Sequence, residues 1–298
     1  MRVKLAQASA WQKVLYKKQK YPDNYVDQSF LDELRKNHGV QTYSYKTLVN
    51  ASTVITQQLS SVAIFIAMHL YMKDHSVSAQ TLWLIMSTLS VIGYIANFIL
   101  NNSAGQRLSF TLIVKHLKTS LLFQGCSAAL SPVLVSLTET ISTDTIYTMT
   151  TSMLLANLLL FNYDTSHDAV PGAMSFSAAI FSSVCLASRL HTPWHAFTTV
   201  TSAFELFALW PSLRKNIKEK YPMIHQCVTV VIVLLCMACL GSKTLVGAVI
   251  YCALVLLITF ACTALFHFLQ SLKNNISGPW DEAVIHSSSV LMAEHSTS

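Results

Sequence analysis

Apolar residues dominate long stretches of the chain with neither the two-residue alternation of strands nor the narrow stripe of soluble amphipathic helices, and this predicts helices apolar all round. A helix needs about 20 mainly apolar residues to cross a bilayer. That window predicts eight spans, at roughly 50–72, 82–100, 117–136, 144–162, 171–190, 195–212, 226–241 and 245–269. The third carries Gln124, Ser131 and Pro132, and the fourth opens on Thr143, Asp144 and Thr145. These two are the least apolar. The fold expected is all-α: a polytopic membrane bundle of residues 49–269, between a cytosolic amphipathic segment, 1–48, and a cytosolic tail, 270–298.

Charge placement orients the bundle. Eight spans and a cytosolic N-terminus put 17 of the 20 Lys/Arg on the cytosolic side, leaving Lys73, Arg189 and Lys243 opposite. This asymmetry follows the positive-inside rule and predicts that both termini face the cytosol. Residues 1–48 hold no apolar run of the length a signal peptide needs, so the first span is expected to do the targeting. Trp83, Trp194 and Trp210 fall at predicted span ends, where indole rings anchor at headgroup depth. In the fifth span Ser175, Ala179, Ser183 and Ala187 recur every four residues, a stripe of small side chains expected to pack closely on another helix of this chain.

Composition removes several classes of function. Hydrophobic residues make up 52% and charged residues 11% of the 298, which excludes an ordinary soluble domain with about a quarter of its residues charged. The positive balance is explained by topology, and no nucleic-acid partner is implied. Seven cysteines, five of them within apolar stretches, do not form a disulfide framework. Cys236 and Cys239 make a C-x-x-C without the His or polar neighbours that metal or redox chemistry requires, so no metal site and no cofactor are expected. Glycine-rich phosphate loops and H-E-x-x-H zinc motifs do not occur.

Ionisable residues at membrane depth are costly, which makes them the first candidates for function. Glu205 falls near the middle of the sixth span; Glu139 and Asp144 flank the Thr-rich third-to-fourth connection. A structural reading stands beside each: Asp144 as the N-cap of the fourth helix, Glu205 hydrogen-bonded to a Ser or Thr of a neighbouring span. His69 and His267 are expected at the interface. The basic run Arg214, Lys215, Lys218 and Lys220 both signals topology and offers charge to an anionic lipid headgroup. Near the N-terminus, Ser29 and Asp32 resemble a capping box ahead of a stop at Gly39. Trp11, Tyr25, Phe30 and Leu34 present aromatic and apolar groups suited to a membrane surface or a partner. In the tail, Gly278-Pro279 fixes a turn before Trp280, Asp281 and Glu282, a second docking candidate.

Several strings resemble one family. Residues 11–16 (Trp-Gln-Lys-Val-Leu-Tyr), 22–27, 30–37, 137–147 with Ser-Thr-Asp-Thr-Ile-Tyr, 183–190, 195–197, 207–211 and the tail's Gly-Pro-Trp-Asp-Glu-Ala resemble, in order, PIG-C, a family of membrane subunits of phosphatidylinositol N-acetylglucosaminyltransferase. The segments around 101–118 and 163–172 diverge from it. The resemblance implies a multi-pass subunit in the endoplasmic reticulum membrane. The complex transfers N-acetylglucosamine from UDP-GlcNAc to phosphatidylinositol, the first step of glycosylphosphatidylinositol anchor synthesis. It also implies that catalysis belongs to another subunit, PIG-A, with the other subunits and membrane phosphatidylinositol as partners. A membrane-embedded lipid-modifying enzyme and a lipid translocator remain as alternatives on the residues alone.

Overall fold

The computed structural model describes residues 41–102, 110–136, 141–163, 172–190, 192–273 and 276–277, together with Lys18, Tyr25 and 35–36. Trp11, Ser29, Phe30, Asp32, Leu34, Gly39, Glu139, Trp280, Asp281 and Glu282 lie outside the described residues. Two compact units result: Ser44–Phe266, and Met1–Tyr43 with His267–Ser298. In the second, β1 (Arg35–Lys36) pairs antiparallel with β2 (Ile276–Ser277), Arg35 opposite Ser277. This two-residue bridge leaves the architecture all-α, as expected. Within the same unit the Tyr43 backbone N–H donates to Gln270 Oε1 at 2.8 Å.

The helices are α1 (Tyr45–Lys73), α2 (Ala79–Asn102), α3 (Phe110–Ser136), α4 (Thr143–Leu160), α5 (Ala173–Ala187) and α6 (Pro193–Phe204), then α7 (Trp210–Lys220), α8 (Pro222–Gly241), α9 (Leu245–Leu256) and α10 (Thr263–Leu272). A π-turn, Glu205–Leu209, joins α6 to α7, and another, Leu257–Cys262, joins α9 to α10. Among the described residues, eight helical runs thus occupy the positions of the eight predicted segments. Among the described residues, five stretches are long and apolar enough to cross a membrane: Tyr45–Lys73, Ala79–Leu100, Val114–Ser136, Pro222–Gly241 and Leu245–Leu272. α5 is apolar but has 15 residues.

Local chemistry sets the helix starts. Ser44 and Ser142 each accept the backbone N–H three residues on, capping α1 and α4, and Thr192 does the same for α6 ahead of Pro193. The N-cap of α4 is therefore Ser142, which corrects the capping reading of Asp144: Asp144 lies one position inside the first turn. The basic run after residue 212, past the predicted end of the sixth span, is helical to Lys220. Pro211 cannot donate to the carbonyl four residues back and would clash with it. The π-turn relieves this conflict by widening the helix, with the Trp210 N–H reaching the Glu205 carbonyl, after which helix-forming Leu, Arg, Lys and Glu carry it on.

α1 is the hub of the Ser44–Phe266 unit. Its apolar face buries Val62, Phe65 and Met68 against Leu154, Ala179, Leu186, Ala203, Leu206 and Phe207. Phe65 and Phe207 meet edge to face, 5.6 Å between centroids. A second cluster joins Leu59, Ala63 and Ala67 to Cys236 and Leu240 of α8 and to Ala248 and Tyr251 of α9. Ser175, Ala179, Ser183 and Ala187 are all fully buried within the chain, which places the small-residue stripe of α5 at an internal helix contact.

α1 also carries a polar seam. Gln58 Nε2 donates to Asn157 Oδ1 at 2.9 Å, and Asn157 Nδ2 donates to the Ser175 carbonyl at 2.9 Å and hydroxyl at 2.8 Å. Gln57 Nε2 donates to Thr229 Oγ1 at 2.7 Å, and Ser60 Oγ lies 2.7 Å from the Tyr251 hydroxyl. Neighbouring helices in lipid gain little from apolar burial, so close packing and such hydrogen bonds fix which helices pair. The exterior has the opposite character: Leu89, Ile92, Ile95 and Ile99 of α2, and Val230, Val231 and Leu234 of α8, are exposed. An apolar exterior of this extent suits hydrocarbon, not water.

Candidate functional site

The cationic residues singled out in the sequence lie on α7, just past the predicted end of the sixth span. α7 is pinned to α2 by Asn216 Nδ2 donating to Asn97 Oδ1 at 2.6 Å and by Lys220 Nζ donating to the Leu100 carbonyl. Arg214 is not a solvated loop residue: it is 3% exposed. Its guanidinium carbon lies 4.8 Å from the centroid of the Phe161 ring. Phe161 is the C-cap of α4, and its extended backbone turns the chain so that its ring meets Tyr163 at 5.1 Å. The Tyr163 hydroxyl donates back to the Leu158 carbonyl at 2.6 Å, closing this aromatic wall.

The electrostatics around Arg214 are unbalanced. A desolvated cation–π contact contributes about 2 kcal/mol, whereas removing a charge from water costs several. Neither Nη1 nor Nη2 of Arg214 has a hydrogen-bond acceptor among the described residues. Burial lowers the Arg214 pKa to about 10, and Tyr163 offsets part of that; the group stays charged at neutral pH. Burial raises the Tyr163 phenol to about 12, so it is neutral there and supplies no counter-charge. One turn along α7, Lys218 is half-buried and its pKa is lowered by burial and then by Arg214. Among the described residues no carboxylate forms an ion pair with Arg214 or Lys218. His225 of α8 is also buried, with Nδ1 3.5 Å from Thr53 Oγ1 and Nε2 unpartnered among the described residues. A planar fork of donors with free terminal nitrogens beside a second cation is matched to phosphate or carboxylate oxygens.

The predicted acids do not join this pocket. Glu205 sits half-buried at the start of the π-turn, where the Ser90 hydroxyl of α2 hydrogen-bonds its carboxyl and Oε2 has no partner among the described residues. The neighbouring-span hydrogen bond expected for Glu205 is therefore present. Asp144 is exposed in the first turn of α4. Phe161 caps the other end of that 18-residue helix, about 25 Å away at 1.5 Å per residue. Near Asp144, the Lys73 ammonium donates to the Tyr147 hydroxyl at 3.0 Å, and Arg189 Nη2 donates to the Ile141 carbonyl at 2.6 Å. Residues of the Thr-rich motif thus tie α4 to the ends of α1 and α5.

Other expectations divide. Lys215 is half-buried beside Arg214, and Tyr25 is exposed. His267 is exposed, and His69 is buried within the chain, with its ring edge to face on Tyr147 at 6.3 Å. The closeness of His69 to the α4 motif explains this: one turn before Lys73, it faces the same helix. Trp83 and Trp194 both pack on Phe197, at 6.1 and 5.7 Å. Sequence reasoning missed Phe161, Tyr163 and His225, which complete the Arg214 pocket. Their signal was an aromatic-x-aromatic string at the end of the fourth predicted span, and a His immediately ahead of the seventh.

The family model described as GPI2, phosphatidylinositol N-acetylglucosaminyltransferase, matches residues 11–281. The phosphatidylinositol N-acetylglucosaminyltransferase C subunit of Homo sapiens is 42% identical over 277 residues, covering 92% of this chain and 93% of its own. The Mus musculus protein of the same name is 42% identical over 275 residues, with the same coverage. The GPI2 subunit of Schizosaccharomyces pombe is 32% identical over 280 residues, covering 92% of this chain and 86% of its own. No solved structure matches the chain significantly.

Proposed function

Because the chain belongs to the GPI2, or PIG-C, family of phosphatidylinositol N-acetylglucosaminyltransferase subunits, we propose that it is the multi-pass subunit of a complex transferring N-acetylglucosamine from UDP-GlcNAc to phosphatidylinositol, the first step of glycosylphosphatidylinositol anchor synthesis. One observation carries the reading: the family match runs from residue 11 to residue 281, across the whole helical unit and into both flanking segments. The subunit acts in the endoplasmic reticulum membrane with eight spans and both termini cytosolic, an arrangement supported by the charge asymmetry and the eight helical runs.

Physical roles divide between subunits. A nucleotide sugar is water-soluble and highly charged, and its transfer needs a soluble catalytic fold, which a partner of the PIG-A kind supplies. The acceptor sits in the bilayer, where a soluble domain reaches it poorly. This chain scaffolds that partner through its cytosolic ends, with Trp11, Tyr25, Phe30 and Leu34 and Trp280, Asp281 and Glu282 as docking residues, and presents the lipid. Expression in cells lacking their own PIG-C protein tests the proposal: microsomes given labelled UDP-GlcNAc regain labelled GlcNAc-phosphatidylinositol if it holds. Insertion at normal abundance with no product overturns it.

A further inference from the structure

We infer that Arg214 and Lys218 bind the phosphodiester of an inositol phospholipid, Arg214 taking two phosphate oxygens with its guanidinium fork and Lys218 adding a point charge from the next turn of α7. This deepens the function proposed above and rests on it. Three features of the pocket support the assignment. Arg214 is almost wholly removed from water yet leaves Nη1 and Nη2 without an acceptor among the described residues. A buried charge without a partner is among the costlier arrangements in a folded protein, and a bound anion removes that cost. Next, the described groups around it supply no anion: Phe161 presents a ring face, Tyr163 a hydroxyl already donated to Leu158, and Lys218 a second positive charge. Finally, Arg214 and Lys218 lie just past the predicted end of a span, where the charge rule for spans expects cationic residues to meet lipid headgroups. The aromatic wall suits the apolar part of a lipid better than a free ion.

Inorganic phosphate shares the recognised chemistry, so the test separates the two sources. The whole complex, purified through a tag on this chain, is assayed with soluble dioctanoyl phosphatidylinositol and UDP-GlcNAc titrated in turn. Arg214→Met, which keeps the stem and its packing, is expected to raise the KM for the lipid about 10- to 100-fold, the range for a lost charge-assisted hydrogen bond. The KM for UDP-GlcNAc and the yield of complex stay unchanged. Arg214→Lys falls between, because it keeps the charge and loses the fork. An unchanged lipid KM, or equal rises in both constants, overturns the inference. So does inorganic phosphate that competes with the lipid as well as dioctanoyl phosphatidylinositol does. If Arg214→Met lowers the yield of complex, a photoactivatable phosphatidylinositol is crosslinked to the unmodified complex. Label on 157–163 or 210–225 supports the pocket, and label confined to other segments or other subunits overturns it. A complex lacking this chain that remains fully active refutes the functional proposal itself; a required chain with a silent Arg214→Met refutes only the lipid site.

Discussion

Asn157 offers the sharpest test of what holds the helices together. It is 1% exposed and joins three helices: it accepts from Gln58 of α1 at 2.9 Å and donates to the Ser175 carbonyl and hydroxyl of α5. Its own carbonyl accepts from Ser175 Oγ at 2.9 Å. Asn157→Leu deletes three side-chain bonds, each contributing about 0.6 kcal/mol between helices in lipid, and strands the Gln58 amide at a further cost of about 1–3 kcal/mol. The expected loss is therefore about 3–5 kcal/mol. For a unit of this size that lowers the melting midpoint by roughly 6–20 °C, at about 2–4 °C per kcal/mol. Thermal unfolding in detergent, followed by cysteine reactivity as Cys185 and Cys236 become exposed, reads the shift. Gln58→Leu alone strands Asn157 Oδ1 and also destabilises, but the double variant removes donor and acceptor together and should recover part of the loss. A single-variant shift under about 2 °C, or strict additivity in the double variant, would refute a polar seam that specifies helix pairing.

Further expectations address the loops and ends. Ser142→Ala should destabilise α4 by about 1 kcal/mol in the same melting assay, since it removes the observed cap. Asp144→Asn leaves that cap intact, and a functional carboxylate predicts lower transferase activity at unchanged abundance; full activity would reduce Asp144 to a first-turn helix charge. The sequons at Asn50, Asn101 and Asn275 should stay unglycosylated if both termini are cytosolic, and endoglycosidase-sensitive sugar on any of them reverses the orientation. Trp280→Ala should lower the amount of co-purifying subunits while the chain stays inserted, and wild-type recovery would refute docking through the tail.

The helical runs were legible because apolar length is a one-dimensional signal, and turn chemistry such as Ser142, Thr192-Pro193 and Tyr221-Pro222 punctuates it. The end of the sixth run was not. Charge density at Arg214, Lys215, Lys218 and Lys220 reads as a loop, but these residues are good helix formers and Pro211 is absorbed by the π-turn. The site was legible only by residue type. Arg214 was visible as a basic residue near a membrane boundary, whereas its burial depends on Phe161, far earlier in the chain, and no local pattern encodes that contact. The amides Gln57, Gln58 and Asn157 were equally visible, yet attention to ionisable residues alone passed over them.

The polar seam of α1 also constrains how the chain is made. Gln58 meets Asn157 99 residues later in the sequence, and Gln57 meets Thr229 172 residues later. At about 5–20 residues per second, roughly 5–20 s of synthesis separate Gln58 from its acceptor and about 9–34 s separate Gln57 from Thr229. Until then α1 holds two amides without their partners, an arrangement that hydrocarbon penalises and polar or protein-lined surroundings do not. The order of translation therefore matters here, and a chain cut before α8 would leave α1 half-matched.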